Sequence, residues 1–208
     1  MVFRKEQIIV NFITSLILVV RNFFLLIFYP YKTMRKISLE KDHWQILIIF
    51  LLVFFYFKLS YFLKDNPYPA SFTFFAFLIN FFLTAGFFYF LSKLIKKNDN
   101  SASFKSLFFS LSYSLFPTLI WFESVSLLYL ILPPPRTTSI LGVSFSIFFI
   151  AYSLSLLLWK LILVFLAIRF SLRLSFYQIL YLWFLYLIWF IPYSILLYQV
   201  KLFRVPFI

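Results

Sequence analysis

Chemistry inside a bilayer needs ionisable groups, and this sequence holds few of them within its apolar runs. Glu123 ends the stretch FKSLFFSLSYSLFPTLIWFE (Phe104 to Glu123), while Glu6, Glu40, Asp42, Asp65 and Asp99 fall near the N-terminus or in polar connections. An ionised carboxylate at membrane depth is costly, so Glu123 is expected to face other helices, either paired or protonated. Such a group can bind a proton or a cation, but without a second acid it cannot form a carboxylate dyad. At 1.5 Å per residue, Glu123 lies about 12–14 Å and Lys58 about 7–8 Å from the outer ends of their spans. Lys58 is therefore the expected partner. Lys160, nearer the inner end of its own span and able to snorkel, ranks second.

Pro117, six residues before Glu123, has no N–H to give. The carbonyl of Tyr113 therefore loses its helical donor, and a kink is expected there. At 100° per residue, Ser106, Ser110, Tyr113, Pro117 and Ser124 share one stripe, read as a helix-packing face in preference to a solute path.

Catalytic constellations are missing. His43 is the only histidine, there is no cysteine, and Gly86 and Gly142 are the only glycines, so thiolate chemistry, a histidine-rich metal site and a glycine-rich phosphate loop are all excluded. No H-E-x-x-H or G-x-S-x-G motif occurs. A non-catalytic protein with no cofactor and no metal is expected.

The elements that carry these residues are apolar helices. Of 208 residues, 64% are hydrophobic, 25% aromatic and only 12% charged, and the mean hydropathy is +0.99. A soluble surface needs far more polar cover, so the fold class is an all-α polytopic membrane helix bundle. Five transmembrane helices are expected, at about 45–63, 70–95, 106–132, 140–170 and 176–200, with a short tail at 201–208. Pro133 to Pro135 stop the third. Gly142 and Ser146, and Ala151 and Ser155, have the spacing of close helix contacts in the fourth.

A segment at 1–44 precedes the bundle. Within its apolar stretch 8–29, Gln7, Asn11, Thr14, Ser15, Arg21 and Asn22 fall in a wedge of about 120°, the mark of an amphipathic helix at the membrane surface. The length also suits a crossing, but the wedge favours the surface. Pro30 ends that helix, and the polar piece from Tyr31 to Trp44 follows. No cleavage site of the A-x-A kind follows the first apolar run, so removal as a signal peptide is not expected.

The net charge of +13 comes from basic residues in short connections, which suits a bilayer surface with anionic headgroups and not nucleic acid. On the five-span layout, Arg4, Lys5, Lys32, Arg35, Lys36, Lys41, Lys93, Lys96, Lys97, Lys105, Arg169 and Arg173 lie on the N-terminal side. Lys58, Lys64, Arg136, Lys201 and Arg204 lie on the other. This asymmetry puts the N-terminus in the cytoplasm and the C-terminus outside. Lys32, Arg35, Lys36, Lys41, Lys96, Lys97, Arg169 and Arg173 are the expected contacts to anionic lipid.

The layout resembles the Yip1 family in its basic N-terminal segment with a proline, its five closely spaced spans and the run FKSLFFSLSYSLFP, where Tyr113 and Pro117 occupy a Tyr-x-x-x-Pro element. FYPYKTMRKI (Phe28 to Ile37) is similar to the family's pre-membrane stretch. The chain departs from the family's eukaryotic branch in having Ser112 before the tyrosine and in lacking an Asp-Leu-x-Gly-Pro motif, which counts against a small-GTPase partner. The resemblance implies a five-span protein with a cytosolic N-terminus that organises membrane or partner proteins, with a homo-oligomer also open to it. A reading of another class is a small proton- or cation-coupled transporter or channel using Glu123.

Overall fold

The computed structural model describes residues 2–40, 42–63, 68–95, 103–131 and 140–201. Lys41, Lys64, Lys96, Lys97, Arg136, Arg204, the triple proline and 202–208 of the tail lie outside them. Among the described residues eight helices form in chain order: α1 (Val2–Phe28), α2 (Pro30–Ile37), α3 (His43–Leu63), α4 (Ala70–Ile95), α5 (Phe104–Tyr113), α6 (Phe116–Ile131), α7 (Ile140–Leu172) and α8 (Phe176–Gln199). Among the described residues, six helical segments are long and apolar enough to cross a membrane, with α5 and α6 together making one of them. The chain is an integral membrane helix bundle. Five of the six segments match the expected spans within a few residues, because each boundary coincides with a proline or a polar turn that stops an apolar run. The sixth is α1.

The α5–α6 segment is the most enclosed of the six. Leu107, Phe109, Ser110, Leu111, Ser112 and Tyr113 are all buried, and α5 packs most extensively on α7. That contact is close because its residues are small. The Ser106 hydroxyl donates to Ser171 at 3.2 Å, and the Ser171 hydroxyl donates to Ser110 at 3.1 Å, beside fully buried Ala167. Of the stripe read from the sequence, Ser106 and Ser110 thus lie in a packing face. The pairs in α7 are less telling, since Ala151 and Ser155 are exposed and Ser155 only bonds back to the Ala151 carbonyl.

The kink expected at Pro117 is a full break. α5 stops at Tyr113, Ser114 and Leu115 form a turn, and α6 starts at Phe116 with Pro117 in its first turn, where a missing N–H costs least. The hydroxyls of Ser112 and Ser114 turn back onto the carbonyls of Phe109 and Leu111, each at 2.7 Å, and occupy acceptors near the interruption.

Pro30 does more than end α1, because it also begins α2, a helix not foreseen as such. Thr33, Met34 and Ile37 are buried under it while Lys32, Arg35 and Lys36 are exposed. The Thr33 hydroxyl donates to the Leu25 carbonyl at 3.2 Å, and Tyr31 packs edge-on against Phe170 at 4.9 Å. α7 and α8 are joined by three residues. Arg173 takes a left-handed conformation (φ 53°) that ends α7, and Ser175 and Gln178 form the capping box that starts α8.

The polar wedge of α1 is divided by the structure. Ser15 and Asn22 are buried together with Val19 and Leu26, whereas Gln7, Asn11, Thr14 and Arg21 stay exposed. Val10, Ile13, Ile17, Val20, Phe24 and Ile27 are exposed as well. One edge of the wedge therefore meets the protein, and the apolar face looks outward, where a bilayer suits it.

Candidate functional site

Tyr113, the last residue of α5, lies where three helices meet and is fully buried. Its hydroxyl donates to the side-chain carbonyl of Gln45 in the first turn of α3 and accepts from the Asn22 amide of α1 at 3.3 Å. Asn22 in turn accepts from the Arg21 guanidinium at 3.4 Å. On the other side, the Gln45 amide donates to Asp42 at 3.2 Å, and the Ser15 hydroxyl donates to the same carboxylate oxygen at 2.6 Å. The second Asp42 oxygen caps α3 by accepting from the Trp44 N–H at 3.0 Å. Six side chains thus form one chain of hydrogen bonds, running from the Arg21 cation to the Asp42 carboxylate, which also holds Ser15.

The arrangement is one of anchoring. Ser15 and Asn22 are about 10 Å apart along α1, and they reach residues that Gln45 links to each other. α1 is therefore held at the first turn of α3. The Phe12 ring against Trp44 at 6.0 Å and the Phe23 ring against Phe116 at 4.5 Å flank the network on either side. Buried polar groups outside water need their partners, so a satisfied network of this kind specifies one docking position for α1. Of its members only Tyr113 is a site residue expected from the sequence. Asn22 shows in the sequence only as part of the polar wedge of α1, and Gln45 only as an amide at the start of an apolar run.

A groove of about 730 Å³ opens beside this network between α3, α4 and α5. Ser38, Glu40, His43, Ser103 and Lys105 form its polar mouth, and Phe50, Leu51, Phe54, Phe74 and Phe82 line its apolar length. A second cavity, of about 220 Å³, lies where α4, α7 and α8 meet the α5–α6 break. Lys160 stands in its wall with Thr84, Ser114, Trp183 and Tyr186. The expectation that Lys160 snorkels toward the inner end of its span is corrected, since the side chain is only 5% exposed and sits beside the helix break. Its position eleven residues from Ser171, the partner of Ser106, puts it about 16 Å from that end of the bundle.

The expected pairing of Glu123 with Lys58 is also corrected, because no ion pair within 4.0 Å joins them. Tyr56 stacks on Phe122 of α6 at 4.5 Å, which turns that side of α3 toward α6. Lys58, two residues and 200° further round, points outward and lies 5.7 Å from the Phe54 ring centroid. Glu123 is half-buried and lines neither cavity. Among the described residues, no three histidine, aspartate or glutamate side chains gather to hold a metal.

Lys32, Arg35, Lys36, Arg169 and Arg173, expected at anionic lipid, are all exposed, on α2 and at the end of α7 that α2 packs against. On the far side of the bundle two unforeseen polar contacts clasp α4 to α8. Tyr193 donates to the side-chain carbonyl of Asn80, and Thr84 and Tyr186 share a hydrogen bond of 3.3 Å. Comparison with family models, with curated proteins and with solved structures finds no match for this chain.

Proposed function

We propose that this chain is a Yip1-like, non-catalytic integral membrane protein that organises the bilayer and partner proteins around it, with its N-terminus cytoplasmic and its C-terminus outside. The observation that carries the reading is the α1–α2 unit. A helix with an outward apolar face is clasped through Ser15 and Asn22 to one end of the bundle, and α2 and the end of α7 add exposed Lys32, Arg35, Lys36, Arg169 and Arg173 there. On this reading the basic residues meet anionic headgroups and α1 lies along the same leaflet, displacing lipid on one side of the membrane only. The excess of basic residues on the N-terminal side supports the orientation.

Geometry favours this over solute transport. The hydroxyls of the middle helix are used in helix contacts, and Glu123 stands apart from both cavities. The test is reconstitution into liposomes containing anionic lipid, with vesicle diameter and proton or cation flux followed together. The expected outcome is a change in vesicle size that weakens in Asn22→Leu, with flux at background in the unaltered protein and in Glu123→Gln. Vesicles of unchanged size, with a flux that Glu123→Gln abolishes, would replace this reading by a transporter.

A further inference from the structure

We propose that the groove between α3, α4 and α5 holds one phospholipid with a primary-amine headgroup, phosphatidylethanolamine. Its phosphate would sit at Lys105 and the N-terminus of α5, its ammonium at Glu40, and one acyl chain along Phe50, Phe54 and Phe82. The proposal deepens the membrane-organising reading and rests on it for the source of the lipid.

The groove has the shape for such a ligand. At about 730 Å³ it falls in the range of built small-molecule sites. From His43 at the mouth to Phe54 it runs eleven residues along α3, about 16 Å, close to one leaflet of a hydrocarbon core about 30 Å thick. Polar side chains gather at one end and aromatic rings at the other, the division found in an amphiphile lying along the membrane normal. Phe50 and Phe108 are 6.0 Å apart and Phe82 lies 4.9 Å from Phe108, so the apolar wall is continuous across all three helices.

The headgroup follows from charge and donor count at the mouth. α5 begins at Phe104 with Ser103 as its cap, so the positive end of the helix and the Lys105 ammonium occupy the same place, which suits a phosphate. Glu40 brings a negative charge to the same mouth, and its Oε2 is buried with no hydrogen-bond partner among the described residues. A buried carboxylate oxygen without a donor is costly, and an ammonium with three N–H donors satisfies it. Choline has no N–H to offer, and glycerol carries no positive charge. Glu40 therefore selects the amine, while Lys105 serves any phospholipid.

The experiment uses the full-length protein in bilayers of equal parts phosphatidylethanolamine, phosphatidylcholine and phosphatidylglycerol, with retained lipid identified by native mass spectrometry after mild extraction. The expected result is retention of phosphatidylethanolamine about tenfold over each of the others, the effect of one charge-assisted hydrogen bond. Glu40→Gln should bring it level with phosphatidylcholine, Lys105→Gln should lower all three lipids, and Leu51→Trp, which fills the apolar shaft, should lose bound lipid with the mouth intact. Equal retention of the three lipids, a preference unchanged in Glu40→Gln, or no retained lipid would overturn the proposal. Vesicle size reports separately: if it still changes while no lipid is retained, only the groove assignment fails. If lipid is retained selectively while vesicle size is unchanged, only the organising role fails.

Discussion

Asn22 and Tyr113, 91 residues apart in the chain, are joined by a hydrogen bond of 3.3 Å at a point where both side chains are fully buried. Through it the N-terminal helix and the broken middle helix share one position. Gln45 completes the contact as the acceptor of the Tyr113 proton, so a single phenol hydroxyl links α1, α3 and α5.

Tyr113→Phe keeps the ring and removes that link. Gln45 then loses the donor to its carbonyl, and the Asn22 amide loses its acceptor, both inside the protein. Unsatisfied buried groups cost about 1–3 kcal/mol in general, and measured couplings inside membrane bundles average about 0.6 kcal/mol, so a loss of about 1–2 kcal/mol is expected. In a chain of this size that lowers Tm by about 3–6 °C. Thermal unfolding in detergent measures it. A Tyr113→Phe protein as stable as the unaltered one would show that the hydroxyl carries no load in docking α1.

Glu123 and Lys58 should behave as independent sites. Since Lys58 points away from α6, the double variant Glu123→Gln, Lys58→Gln is expected to equal the sum of the single variants within about 0.5 kcal/mol. A denaturation series on the four proteins gives the coupling directly. A coupling well above that limit would mean that the two charges do meet in the membrane-embedded protein.

These two pairs show what a sequence of this kind displays and what it hides. Apolar runs bounded by Pro30, Pro67, Pro69 and Pro133 mark the ends of helices, because the backbone must satisfy itself inside lipid and proline halts that pattern. Depth along a helix is similarly legible from residue count. Azimuth is not: Glu123 and Lys58 have compatible depths, but which way α3 faces is decided by the Tyr56 ring stacking on Phe122, a contact between residues far apart in the chain. The same limit applies to α1, whose polar wedge is visible as a pattern. That its Ser15 and Asn22 edge turns inward depends on Asp42, Gln45 and Tyr113 being gathered by tertiary packing. α2 is hidden in the sequence for a different reason, since eight residues rich in lysine and arginine read as a connection until burial of Met34 and Ile37 shows their apolar side.

Arg173 offers a prediction of opposite sign. Its left-handed backbone costs roughly 1–2 kcal/mol for a residue with a Cβ, and glycine adopts it freely. Part of that gain is offset by the greater freedom of glycine in the unfolded chain, so Arg173→Gly is expected to stabilise the protein by about 0.5–1 kcal/mol, or about 1.5–3 °C in Tm. The same variant removes a charge from the cluster assigned to anionic headgroups, so affinity for phosphatidylglycerol vesicles should fall while Tm rises. A fall in both would mean that the Arg173 side chain supports the α7–α8 turn in some way other than its backbone conformation.

The absence of cysteine makes the membrane orientation directly testable, because any single cysteine introduced is the only thiol present. Arg169→Cys and Lys105→Cys belong to the side rich in basic residues, and Pro69→Cys, in the α3–α4 connection, and Lys201→Cys to the other. All four positions are exposed in the structure. In intact cells, a membrane-impermeant maleimide applied from outside is expected to label the second pair and to reach the first only after the membrane is opened. Gln7→Cys and Tyr29→Cys extend the test to α1, whose two ends they mark, both exposed. If α1 lies along the cytoplasmic leaflet, clasped at the first turn of α3, both remain hidden until the membrane is opened. If it crosses, Gln7→Cys is labelled from outside while Tyr29→Cys is not. That pattern would place the N-terminus outside and remove the one-sided displacement of lipid on which the organising role depends.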